Sequence, residues 1–129
     1  MKPHHFALKV NDLLNCEKFY TKILGLNILQ YQKNEQGENR ALWLDLAGSI
    51  LMLEKMTSKI SKIDHVSWDS GWHLLALSIP LSERKEWKKK LTDSGVIIQS
   101  ESEYSLFFED PEGNRLALSH YPEKKSHQN

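Results

Sequence analysis

The fold is decided by a short pattern that occurs twice, Phe-Ala-Leu-Lys-Val at residues 6–10 and Leu-Ala-Leu-Ser-Ile at residues 75–79. Each copy is followed by a helix-like stretch, a glycine and a new apolar run. Each then closes with a glycine turn into an apolar strand, at residues 50–53 in the first copy and 116–118 in the second. This self-similarity predicts two structural modules with a ligand pocket at their interface.

The spacing of apolar residues predicts a βαβββ order in each module. Residues 5–10 alternate as a strand does, and Asn11 or Asp12 can cap a helix over 13–24 that stops at Gly25. The other predicted elements are strands at about 26–31, 40–47 and 50–55, a helix at about 82–93, and strands at about 96–100, 104–109 and 114–121. The predicted fold class is therefore α+β.

We expect one domain, because a module of roughly 60 residues would be marginally stable alone. The 129 residues, 40% of them hydrophobic, suffice for one modest core. The predicted boundaries are module 1 at about 4–56, a connector at about 57–72, module 2 at about 73–121 and a polar tail at 122–129.

The composition excludes several classes of partner. Seventeen basic residues balance seventeen acidic ones and are scattered, which argues against nucleic acid or an anionic membrane as the main partner. No stretch approaches the roughly 18 apolar residues of a membrane span, and the first residues lack a signal-peptide core. The single cysteine, Cys16, excludes an internal disulfide and suits a reducing compartment. We expect a cytoplasmic protein.

Three segments carry a family resemblance: His-Phe-Ala-Leu-Lys-Val-Asn-Asp at 5–12, Phe-Tyr-Thr-Lys-Ile-Leu-Gly-Leu at 19–26, and Phe-Phe-Glu-Asp-Pro-Glu-Gly-Asn at 107–114. With them the chain resembles the vicinal oxygen chelate superfamily of glyoxalases, bleomycin-resistance proteins, fosfomycin-resistance transferases and ring-cleaving dioxygenases. The resemblance implies two βαβββ modules that form a curved, incomplete barrel around a cavity. In enzymatic members, three or four strand side chains hold a divalent metal there.

The resemblance implies four metal-ligand positions, and this chain fills few of them. His5 occupies the first. The second falls on Met52, four residues after Gly48, and the fourth on Ala117, four residues after Gly113. A thioether is a poor ligand for hard or borderline metals, and alanine has no donor atom.

Two registers compete for the third ligand position. One pairs His73 with His5. The other is shifted by one residue, so that Leu74 takes the ligand position and His73 pairs with His4. Only the shifted register turns the three apolar residues of 75–79 toward the helix, and burial decides strand register. We therefore predict that the usual metal site is incomplete, and that a rearranged site would need His5, Glu54 and His73 together.

The predicted cavity lining is mostly apolar with a few polar groups, as ligand sites usually are. Trp43 can stack on a planar ligand or pack at an interface, and both alternatives stay open. The residues predicted to line the cavity are His5, Lys9, Trp43, Met52, Glu54, Ala117 and Ser119.

Three other histidines, His65, His120 and His127, are isolated in sequence and are predicted to lie at the surface.

Three functions follow from the resemblance. The leading one is a small-molecule-binding protein similar to the bleomycin-resistance branch, with no cofactor. The alternative is a divalent-metal-dependent lyase, isomerase or thiol transferase that uses the rearranged site. The third is a non-enzymatic interaction module. Members of this size commonly form pockets across a two-fold interface, so a homodimer is expected in each case.

Overall fold

The computed structural model describes residues 1–57 and 70–124. The chain divides into two compact units, Met1–Lys62 and Ile63–Asn129. Each contains a four-stranded sheet and one helical segment, which confirms the α+β class and the two βαβββ modules. Most of the predicted connector, the end of the predicted tail, His65 and His127 lie outside the described residues. That the two modules fold as one domain stays a prediction.

The first unit follows the order predicted from its sequence. The Asp12 side chain caps the helix by accepting a hydrogen bond from the backbone N–H of Asn15 at 3.0 Å. Gly25 then ends the helical segment with a φ of +79°, which favours glycine. The elements are β1 (His5–Val10), α1 (Leu13–Lys18), a π-helical turn (Phe19–Ile23), β2 (Ile28–Lys33), β3 (Asn39–Asp45) and β4 (Ile50–Lys55). The sheet order is β1-β4-β3-β2, with β1 parallel to β4.

The core of the first unit lies between α1 and one face of this sheet. Leucines at alternate positions of β3 and β4 point to the helix, and the helical segment supplies the other half of the core. Burying these side chains supplies most of the stability of such a unit. The buried apolar residues here are Val10, Leu13, Cys16, Phe19, Tyr20, Leu24, Leu42, Leu44, Leu51 and Leu53.

The second unit repeats the plan with the order β5-β8-β7-β6. Its last strands are close to their predicted positions, but the strand predicted at 96–100 is reduced to two residues. Val96 instead donates its backbone N–H back to the Leu91 carbonyl of the helix at 2.9 Å, and bonding to the next strand begins at Gln99, which donates to the Phe107 carbonyl at 2.8 Å. The elements are β5 (Leu75–Ser78), a 3-10 turn (Leu81–Glu83), α2 (Arg84–Asp93), β6 (Ser100–Glu101), β7 (Ser105–Glu109) and β8 (Arg115–Ser119).

Strand pairing confirms the shifted register. Leu75 pairs with Leu116, three residues after the turn glycine, just as Phe6 pairs with Leu51 in the first unit. The position equivalent to His5 is therefore Leu74, and His73 is equivalent to His4. Leu75 and Leu77 are half-buried whereas Ala76 and Ser78 are exposed, as expected where burial sets the register.

None of the helices in residues 1–57 and 70–124 has the length and apolar character needed to cross a membrane.

Candidate functional site

The sheet face of the first unit that points away from α1 holds five of the predicted site residues. Three strands contribute to it, and their register arranges the side chains in three rows. Residues in one row are direct neighbours across the strands, about 4.8 Å apart. We call this surface the candidate face. Its rows are His5, Ile50 and Asp45; Ala7, Met52 and Trp43; and Lys9, Glu54 and Ala41.

Trp43, in the middle row, carries a polar atom that the fold leaves unsatisfied. The side chain is half-buried, and its Nε1 atom is buried. Among the described residues no acceptor lies within hydrogen-bond distance of that nitrogen. A buried donor without an acceptor costs about 1–3 kcal/mol, so native structures contain few of them. The alternation of residues 41–45 predicted the direction of Trp43, but nothing in the sequence indicated the missing acceptor.

The Lys9 end of the candidate face carries one net positive charge. Arg40 reaches Glu54, with 3.7 Å between Nη1 and Oε1, and also donates to Gln32 Oε1 at 2.7 Å. Lys9 is the register neighbour of Glu54, yet it has no ion pair or hydrogen bond with any residue that the structure describes. The guanidinium therefore balances the carboxylate and leaves the ammonium uncompensated.

The comparisons with known proteins agree with the duplicated βαβββ plan of the two units. The family model of the Glyoxalase/Bleomycin resistance protein/Dioxygenase superfamily matches residues 2–118. The chain belongs to this superfamily. No curated protein matches this superfamily member in sequence.

Several solved structures share the fold of this superfamily member. A glyoxalase/dioxygenase from Nostoc punctiforme is 22% identical, with 95% of this chain and 92% of that one covered and a TM-score of 0.74. The fosfomycin resistance protein FosX from Listeria monocytogenes, solved with Mn(II) and sulfate, is 16% identical, with 93% and 91% covered and a TM-score of 0.72. An integron cassette protein from the mobile metagenome of the Halifax Harbour sewage outfall is 20% identical, with 92% and 97% covered and a TM-score of 0.70.

The register of the first sheet separates two of the three residues of the rearranged metal site. His5 and Glu54 lie in the first and third rows, four residues apart along the strands, which is about 13 Å at about 3.3 Å per residue. Two ligands of one ion must both approach it to about 2 Å. Within either unit, no three His, Cys, Asp or Glu side chains of the described residues group closely enough to hold a metal ion.

The two histidines of the rearranged set have other contacts. His5 Nδ1 lies 2.9 Å from His4 Nδ1, and the two rings meet edge to face. His73 Nδ1 lies 3.3 Å from Arg115 Nη1, and because a guanidinium only donates, the imidazole accepts. All of these side-chain contacts are solvent-exposed.

The remaining two predicted site residues lie on β8 of the second unit. Ala117 is 1% exposed and pairs with Ala76 and Phe107. Ser119 is half-buried and pairs with Ser78 and Ser105. Both occupy the face of β8 opposite to the buried leucines of that strand, as the sequence predicted.

The second unit also holds a buried polar cluster that the sequence did not predict. Arg84, 5% exposed, donates to His120 Nε2 at 2.7 Å, to the Ser102 carbonyl at 2.9 Å and to Glu101 Oε1 at 3.1 Å. The other nitrogen of His120, Nδ1, donates to the Glu123 carbonyl at 2.7 Å. His120 is 3% exposed, so its predicted surface position is wrong. Its partner lies 36 residues away, beyond any local pattern.

The cluster makes part of the stability dependent on pH. The Lys88 ammonium, and secondarily Arg84, hydrogen-bond Glu101 and lower the pKa of that carboxyl from its ordinary value of 4.5. A lowered pKa stabilises the fold above 4.5, and this contribution disappears as the pH falls through the folded-state value. Glu101→Gln is therefore expected to lower the free energy of unfolding in urea at pH 7 and to leave it unchanged at strongly acidic pH. An equal loss at both pH values would contradict this account.

Proposed function

We propose that this superfamily member binds a small molecule against its candidate face, without the metal ligands of the superfamily's enzymes. The observation that carries the proposal is the indole N–H of Trp43, which is buried and has no acceptor among the described residues. A ligand acceptor there would recover the hydrogen bond that the fold leaves unmade. Buried polar side-chain atoms without a partner are rare in native proteins, and a ligand is the partner that we propose for this one.

The rest of the candidate face has the chemistry of a ligand site. Its middle row is apolar, with Trp43, Met52 and Ala7 side by side. The rows on either side carry ionisable groups, His5 and Asp45 at one end and Lys9 and Glu54 at the other. Pockets for small molecules commonly combine such an apolar floor with a few placed polar groups. Homodimer formation stays a prediction of the resemblance.

The metal-free part of the proposal rests on donor chemistry. Of the four ligand positions implied by the resemblance, only His5 carries a good donor, while Met52, Leu74 and Ala117 do not. We expect protein prepared without a histidine tag to retain no stoichiometric Ni, Mn, Zn or Fe(II) after incubation and desalting. Mass spectrometry of the metal content measures this. About one metal per chain, lost in His5→Ala, would instead favour the lyase, isomerase or transferase alternative.

The binding part is tested by a small-molecule screen on matched variants. A ligand that binds only the folded state stabilises it by RT ln(1 + [L]/Kd) and so raises the melting temperature, which a thermal-shift screen detects. We expect hits whose affinity falls about fivefold to tenfold in Trp43→Phe, because phenylalanine keeps an aromatic body and loses one hydrogen bond. Trp87→Phe is the matched control, since Trp87 is a half-buried tryptophan on α2. Hits that bind both variants equally would contradict the proposal.

A further inference from the structure

We infer that the ligand is a planar, single-ring molecule with a neutral oxygen acceptor at one end and a carboxylate or similar oxyanion at the other. The inference rests on the proposed function and adds the chemical class of the ligand. It follows from two donors on the candidate face, Trp43 and Lys9, that the described residues leave without acceptors.

The Trp43 end favours a neutral acceptor, because its covered Nε1 offers no charge to compensate an ion taken out of water. An indole N–H donates and never accepts, so its partner is an oxygen or nitrogen lone pair. The Nε1 atom is covered, and a ligand needs a movable neighbour to reach it. Met52 pairs with Trp43 in register, and its unbranched thioether chain adapts easily to a new neighbour. The indole ring itself offers a flat apolar surface to a planar molecule.

The Lys9 end selects an anion. Glu54, the adjacent carboxylate, already has the Arg40 guanidinium at 3.7 Å. The Lys9 ammonium therefore has no ion-pair partner among the described residues and can pair with an anionic group of the ligand. The only other carboxylate in the three rows, Asp45, lies at the opposite end and accepts the backbone N–H of Ala47 at 3.0 Å. A cationic ligand would meet Lys9 and Arg40 together, which disfavours it.

The separation of the two donors sets the ligand size. Lys9 and Trp43 lie two strands apart, about 10 Å, and two residues apart along the strands, about 7 Å. The Cα atoms are thus about 12 Å apart, and the two long side chains cover part of that distance. A ligand that contacts both donors must bridge the remainder, which is about the length of one aromatic ring with a substituent at each end.

Two probes of one shape test this class. The first is para-acetylbenzoate, which has a carbonyl oxygen at one end and a carboxylate at the other, and the second is its neutral methyl ester. Calorimetric titration of the full chain is expected to give about threefold to fivefold tighter binding of the acid, the size of one exposed ion pair. The advantage of the acid should shrink at high salt, because salt screens exposed charges.

Matched lysine variants assign the effect to Lys9. In Lys9→Met the affinities of acid and ester are expected to become equal. In Lys55→Met, which removes an exposed lysine from the other face of β4, the advantage of the acid should remain. Equal affinities in the wild-type protein, or an advantage that survives in Lys9→Met, would overturn the inference while leaving ester binding as support for the proposed function. Binding of neither probe would overturn the ligand class, and the variant screen would then judge the function separately.

Discussion

Replacing Arg84 by methionine is expected to lower the free energy of unfolding by about 3–4 kcal/mol, because a buried imidazole and a part-buried carbonyl lose their charged donor. Methionine preserves much of the side-chain length, so packing changes little. His120 Nε2 would stay buried with no replacement donor from the cluster, and the part-buried Ser102 carbonyl would lose the same donor. Glu101 keeps Lys88 as a partner and contributes less to the loss.

Urea denaturation at neutral pH measures this loss, with Lys88→Met as the control. Lys88 pairs with the same carboxylate, but its side chain is 50% exposed, whereas that of Arg84 is 6% exposed. Exposed ion pairs contribute under about 1 kcal/mol, so the control should lose little. Equal losses in the two variants would show that the buried contacts of Arg84 do not stabilise the second unit.

Leu53→Ala is expected to cost about 2–5 kcal/mol, because it opens a cavity in the core of the first unit. Leu53 is 0% exposed and pairs with Leu8 on one side and Leu42 on the other. The adjacent Met52 points to the opposite, candidate face and is only half-buried. Met52→Ala is therefore expected to cost about 1 kcal/mol, the loss of a partly exposed apolar side chain.

The same urea experiment compares these two neighbours directly. Both substitutions remove a large apolar side chain from β4, so their difference reports which face of the sheet is the core. A loss in Met52→Ala as large as in Leu53→Ala would place the candidate face in a tightly packed interior. Such a result would leave no room for a ligand beside Trp43.

The sequence predicted the strands and their faces well because alternation and burial act locally. The repeat at 6–10 and 75–79 gave the modules, and the apolar residues of the second copy gave the register that excludes His73 from the position of His5. The face of the sheet to which each side chain of β3 and β4 points then followed from the two-residue period of a strand. These features depend on a few consecutive residues and on one buried face.

Features that depend on distant pairs could not be predicted. The partnership of Arg84 with His120 joins the start of a helix to the residue after the last strand, and no local pattern indicates it. Likewise, His5 and Glu54 look like a plausible pair in the sequence, but the parallel register sets them four residues apart along the strands. The missing acceptor of Trp43 is a property of packed surroundings and is visible only in three dimensions.

The central claim is that a ligand accepts a hydrogen bond from Trp43, and the indole N–H signal of that residue tests it most directly. The chain has four tryptophans, and Trp43→Phe identifies the relevant signal in a nitrogen-15 correlation spectrum. Titrating the best hit of the screen into wild-type protein is expected to shift that signal most, while the signal of the 91% exposed Trp72 stays in place. A ligand that saturates the protein and leaves the Trp43 signal unmoved would contradict the account.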